Sequence, residues 1–101
     1  MRPLDGITVA DFSQVLAGPM STQILSDLGA TVIKIESPKG GDESRKFEPF
    51  FEGGQSAYYS AFNRGKSSIA LDLRQEDGQK IALDIVSKVD VGINSLHVLI
   101  S

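Results

Sequence analysis

The sequence predicts the α/β class with a mainly parallel sheet. Three observations carry that expectation. Two short β-branched runs, residues 7–12 and 30–36, flank a helical pattern, so strand, helix and strand fit within roughly 30 residues and form a βαβ unit. A third run, residues 67–73, leads into the most regular amphipathic segment of the chain, residues 75–88. The composition is that of one ordinary globular domain: 101 residues, 41% hydrophobic and 23% charged, with a formal net charge of −3.

The elements follow in order. Residues 7–12, Ile-Thr-Val-Ala-Asp-Phe, read as a short buried strand. Residues 13–18 form a turn into a helix that runs to about Leu28, with Pro19 in its first turn, where a missing N–H leaves nothing unpaired. Met20, Ile24 and Leu28, with Leu25 beside them, give one apolar stripe. Gly29 follows as a helix-terminating residue of positive φ. Residues 30–36 are the second strand, parallel to the first. Residues 37–54, rich in Gly and Pro and holding the charged run 42–46, read as a long loop. Residues 56–62 are a short aromatic helix, 63–66 a turn and 67–73 a third strand. In the helix 75–88, Glu76 and Asp77 at the start and Lys88 at the end suit the macrodipole, and Ile81, Ala82, Ile85, Val86 and Val89 form the apolar face. Residues 90–94 begin a fourth strand.

Composition narrows the function classes. There is no cysteine, which excludes a disulfide scaffold, a thiolate metal site and a cysteine nucleophile, and fits a reducing compartment, so a cytoplasmic location is expected. The opening residues 1–5 do not form a signal peptide, and no apolar run approaches the ~20 residues of a membrane helix. The mild acidity and the absence of a Lys/Arg stripe argue against nucleic-acid binding. No G-x-G-x-x-G follows the first strand and no P-loop is present. His97 has no ligand-spaced neighbours, so no metal is expected, and a triad of Ser13, His97 and Asp11 lacks a nucleophile elbow.

Parallel sheets bind ligands beyond their carboxyl ends, here residues 13–18, 36–42 and 72–74. In residues 13–19 the small residues Ala17 and Gly18 would let a ligand approach a helix start, or would only pack helix against sheet; the two readings stand level. Gly40-Gly41-Asp42 with Arg45 and Lys46 reads as a phosphate clamp or, more ordinarily, as a solvated loop. Arg64 and Lys66 read as a polar turn, and Tyr58, Tyr59 and Phe62 as core before base-stacking platform. Arg74, just after a strand, faces the ligand side. The residues alone thus reach an α/β domain with a candidate anion site.

The order of segments goes further. Residues 3–9, Pro-Leu-Asp-Gly-Ile-Thr-Val, then Gln14-Val15-Leu16-Ala17-Gly18-Pro19, then residues 27–36, Gly40-Gly41-Asp42 and residues 63–73 resemble, in sequence and order, the start of the class III CoA-transferases, the family of formyl-CoA and carnitine CoA-transferases. The match covers residues 3 to 91. It implies a Rossmann-like parallel sheet, with residues 1–91 as the N-terminal part of the family's large domain and 92–101 as a divergent tail.

The resemblance also implies chemistry. Family members move CoA between a thioester and a free carboxylate, through an aspartate that forms mixed-anhydride and aspartyl-CoA intermediates. It places CoA contacts at Val15, Leu16 and Ala17, and at Leu71 and Arg74, with coenzyme A entering as acyl-CoA and no metal. Ser37 stands where a basic residue is common in the family, and Lys39 is a possible substitute. The family's nucleophile lies beyond this segment; Asp72, Asp84 and Asp90 are not at its position, so no catalytic residue is assigned and the chain alone is expected to be inactive.

After Asp90-Val91 the family's Asn-Phe and Pro-Gly are absent apart from Asn94, which suggests a truncated or frameshifted product, with a natural short form as the alternative. An α-methylacyl-CoA racemase shares the fold and the N-terminal pattern, but the turn 14–19 favours the transferase. A third reading is a non-catalytic CoA-binding or association module, which a CoA titration separates. Family subunits interlock as dimers, and the apolar faces of a cut α/β domain favour self-association, so a homodimer or larger assembly is expected.

Overall fold

The computed structural model describes residues 1–94. The expectations for His97 and for most of the divergent tail therefore lie outside the described residues. Four strands, β1 (Thr8–Asp11), β2 (Thr31–Glu36), β3 (Ser67–Ala70) and β4 (Val91–Ile93), form one parallel sheet in the order β3-β2-β1-β4. Helix α1 (Ala17–Asp27) joins β1 to β2, α2 (Ala57–Asn63) precedes β3, and α3 (Glu76–Lys88) carries the chain back across the sheet to β4. This is the start of the doubly wound order, with the change of direction between β1 and β4. Right-handed crossovers put α1 and α2 on one face and α3 on the other.

Register decides what each face presents. Thr8 pairs with Thr31 and Ala10 with Ile33, so these residues point toward α3; Val9, Asp11, Val32, Lys34 and Glu36 point toward α1. On the α1 side the amino ends of the strands are apolar. Val9, Ala30 and Val32 are buried there, packed by Leu4, Ile7, Leu25 and Ile93. Burial of each such aliphatic side chain contributes about 1.5–3 kcal/mol. Toward the carboxyl ends the same face turns polar, and buried polar residues outnumber buried apolar ones among the described residues.

The expected elements all occur among these residues, the strands with shorter ends, α1 starting already at Ala17 and α2 running on to Asn63. Gly29 has φ +112° and closes α1, while the N–H of Ala30 returns to the carbonyl of Leu25 at 3.0 Å. The third strand stops at Ala70 rather than 73. Leu71 makes one more bond to the Glu36 carbonyl, at 2.9 Å, and the Asp72 carboxylate then accepts the Arg74 N–H at 3.0 Å and turns the chain. The long loop contains a short 3-10 turn, Glu43–Lys46, capped by the Asp42 side chain.

Two apolar faces differ from expectation. Met20, Ile24 and Leu28 lie outward, and with Leu16 they are 41–54% exposed. Helix α1 instead buries Gly18, Pro19, Thr22 and Gln23, with Leu25 partly buried. The physical reason is the sheet beneath it: a face ending in Asp11 and Lys34 needs hydroxyls and a close backbone, not leucines. In α3, Ala82 is buried and Ile85 and Val89 half-buried, whereas Ile81 and Val86 are exposed.

Candidate functional site

Toward the carboxyl edge the sheet carries a buried charged network, built from Asp11 of β1, Lys34 and Glu36 of β2, Lys66 just before β3 and Asp42 of the loop after β2. Asp11 ends β1 fully buried. It accepts the Ser13 N–H at 2.8 Å, the Ser13 hydroxyl, and the Thr22 hydroxyl at 2.5 Å, and pairs with Lys66 Nζ at 3.1 Å. Lys34, one pleat before the end of β2, pairs with Asp42 at 2.9 Å, both side chains closed to solvent, and donates to the Ser13 carbonyl at 3.0 Å. Each buried cation thus has a buried carboxylate, the condition under which such charges are tolerated.

Glu36, at the end of β2, gathers the loop. Its carboxylate takes a two-point contact from Arg45, Nε and Nη2 each at 2.7 Å, the Tyr59 hydroxyl at 2.9 Å, the Ser68 hydroxyl at 2.5 Å and the Asp42 N–H at 2.7 Å. The Arg45 guanidinium also lies 3.9 Å from the centre of the Tyr59 ring. Burial alone would raise the Glu36 carboxyl, but the hydrogen bonds from Arg45, Ser68, the Asp42 amide and Tyr59 override it and bring it down to about 2. Asp11 and Asp42 behave alike: burial pushes upward, and bonds from Ser13 and Thr22, or from Lys34 and Ser44, win and hold each below the ordinary carboxylate range. Desolvation lowers Lys66, against the attraction of Asp11.

Beyond the carboxyl ends of β1, β2 and β3 lies an open cleft of about 200 Å³ that shares Glu36 with this network. It is lined by Phe12 and Gln14 after β1, by Ser37 after β2, and by Leu71 and Arg74 after β3. Leu71 and Arg74, expected at a ligand site, therefore share one cleft. Val15, Leu16 and Ala17 do not line it; they form the next turn after Gln14, with Leu16 and Ala17 exposed at the start of α1. Arg74 is exposed and its guanidinium rests on Asp72, Nε to Oδ1 at 3.1 Å. This contact raises Arg74, and hydrogen bonds from Arg74 lower Asp72, with Lys39 acting in the same direction at longer range.

The remaining sequence candidates fall into place individually. A Cβ on Gly18 would stand 2.1 Å from Ser13 Cβ, so Gly18 is small because Ser13 packs against it. Ser13 is buried with its hydroxyl on Asp11, an arrangement for holding a turn and not for attacking a substrate. The run 42–46 is neither a free clamp nor a wholly solvated loop: Asp42 is buried and the half-exposed Arg45 is held by Glu36, while Lys46 is exposed near Glu43 at 3.9 Å. Lys66 closes the turn before β3, but its side chain lies in the interior instead of in solvent. Tyr59 is buried, and Tyr58 meets Phe47 and Phe62 edge-on, each at 5.1 Å between ring centres.

The pairs Lys34–Asp42 and Asp11–Lys66 were not foreseen. The signal was Lys34 itself, a charge on the inward face of an otherwise β-branched strand. Among the described residues no group of three or more His, Cys, Asp or Glu is placed to hold a metal, and no helix is long and apolar enough to cross a membrane.

Comparison with known proteins gives this architecture a setting. The model of CoA-transferase family III matches residues 4–99. An acetyl-CoA:oxalate CoA-transferase of Acetobacter aceti is 51% identical over 89 residues, covering 88% of this chain and 23% of that protein. A human succinyl-CoA:glutarate CoA-transferase is 42% identical over 95 residues, covering 94% of this chain and 22% of that one. The crystal structure of a CAIB/BAIF family protein from Brucella suis superposes with a TM-score of 0.85 at 45% identity, over 92% of this chain and 25% of that chain. The chain spans about a quarter of the length of the curated relatives it matches.

Proposed function

Because this chain belongs to CoA-transferase family III, we propose that it supplies part of the CoA site of an enzyme that moves CoA between an acyl thioester and a carboxylic acid. Val15, Leu16, Ala17, Leu71 and Arg74 are the residues that touch CoA in this reading. The observation that carries it is the convergence of Gln14, Ser37, Leu71 and Arg74 on one cleft at the carboxyl edge of the sheet, beside the turn 15–17.

Each part has a physical task. Arg74 offers an exposed guanidinium for an anionic group, and the Asp72 carboxylate orients it until the ligand competes. Leu71 offers apolar surface, and the backbone of Leu16 and Ala17 at the start of α1 offers N–H groups. The buried pairs beneath hold these segments at a fixed separation, which favours binding by preorganisation. In this reading the covalent steps fall to an aspartate at a position that none of Asp72, Asp84 and Asp90 occupies.

Coenzyme A as acyl-CoA and a carboxylate are the substrates in this reading, and a cytoplasmic setting is supported by the absence of cysteine. Self-association, as a homodimer or larger, is supported by the outward stripe Leu16, Met20, Ile24 and Leu28. The test is isothermal titration of the chain with CoA. Saturable binding that Arg74→Ala weakens about tenfold is expected, the loss of one charge-assisted contact. Equal heats with and without Arg74 would contradict the assignment.

A further inference from the structure

Val15 is the one described non-glycine residue with positive φ, +71°. A β-branched side chain resists that conformation, and it persists only where the surroundings impose it. The imposing group is visible. The Asp42 carboxylate accepts the Val15 N–H, Oδ1 at 3.1 Å and Oδ2 at 3.3 Å, from 27 residues along the chain. Asp42 is itself fixed on every side: Lys34 Nζ at 2.9 Å, the Ser44 N–H at 2.9 Å, the Ser44 hydroxyl at 2.8 Å, and its own N–H on Glu36 at 2.7 Å.

We propose that Asp42 is the positioning residue of the turn 15–17: held by the buried Lys34, its carboxylate keeps Val15 left-handed and so aims the backbone of Leu16 and Ala17. The inference rests on the CoA reading for the purpose of that turn, not for its geometry. Asp42 touches no ligand itself. It joins the loop that follows β2 to the turn that follows β1, so that two sides of the site are set as one piece. The neighbouring Glu36 extends the link to Ser37 on the cleft wall.

The experiment uses the full chain labelled with ¹⁵N, comparing wild type with Asp42→Ala. Since that change leaves Lys34 unpaired in the interior, Lys34→Met/Asp42→Ala is made alongside and keeps the interior neutral. The three-bond HN–Hα coupling of Val15 reports its φ, and a CoA titration reports the site. In a folded variant the coupling is expected to move to the extended value and the CoA Kd to rise about tenfold. Adding Val15→Gly is expected to return the Leu16 and Ala17 amide shifts of the ligand-free chain toward their wild-type positions, because glycine adopts the left-handed region unaided. A Val15 coupling that is unchanged without Asp42, or Leu16 and Ala17 amides that glycine does not bring back, would overturn the assignment. A wild-type chain with the left-handed coupling but no CoA binding would remove the CoA reading alone, leaving the role of Asp42 to be judged by the coupling.

Discussion

Lys66 Nζ and Asp11 Oδ2 meet at 3.1 Å across 55 residues of chain, with both side chains closed off from solvent. The contact ties the turn before β3 to the end of β1, over the start of α1, whose Pro19 carbonyl also accepts from Lys66 at 3.1 Å. Removing the cation leaves a buried carboxylate short of its partner. Lys66→Met is therefore expected to cost about 3 kcal/mol in urea unfolding, a large part of the stability of a domain this size. A midpoint within error of wild type would contradict it.

Acid stability follows from Glu36. Its folded-state carboxyl lies at about 2, well below its ordinary value. A carboxylate with a depressed folded pKa contributes stability that is fully present above its unfolded pKa and is lost as pH falls through the folded value. The contribution is about 3 kcal/mol near neutrality. Asp11 and Asp42, also held low, act with the same sign. Stability measured by urea at successive pH values should fall steadily between about pH 5 and pH 2. In Glu36→Gln that fall should be visibly shallower.

Gly18 leaves no room for a methyl group, because Ser13 occupies the space at 2.1 Å. Gly18→Ala is expected to destabilise by about 1–3 kcal/mol despite the better helix propensity of alanine. Thermal unfolding checks this, and a stabilised variant would show that α1 does not sit this close to the turn.

Met20 and Ile24 face outward on α1. Ile24→Glu should leave stability within about 0.5 kcal/mol and, on the proposed self-association through this stripe, shift the chain toward monomer in sedimentation equilibrium. A stability loss of several kcal/mol would instead place this side chain in the core.

The α/β class and the sequence of elements were legible because β-branched runs, glycine punctuation and the charged ends of α3 all act locally. The facing of α1 was not. Met20, Ile24 and Leu28 repeat at helical spacing, yet what the helix must cover was decided by Lys34 and Asp11 on the sheet, which only the strand register brings under it. Arg74 was legible as a residue just after the third strand, and Leu71 only through the family resemblance; the structure brings both to one cleft. The role of Asp42 was hidden, since its partners Val15 and Lys34 come from two other segments and no spacing rule links them.

The central claim is that the carboxyl edge of the sheet binds CoA, and amide chemical-shift mapping tests it most directly. On titration of the ¹⁵N-labelled chain with CoA, the account predicts saturable shifts concentrated at Val15, Leu16, Ala17, Leu71 and Arg74, with α3 residues such as Leu83 unmoved. No shift at those five amides, or shifts centred on the outer face of α3, would contradict it.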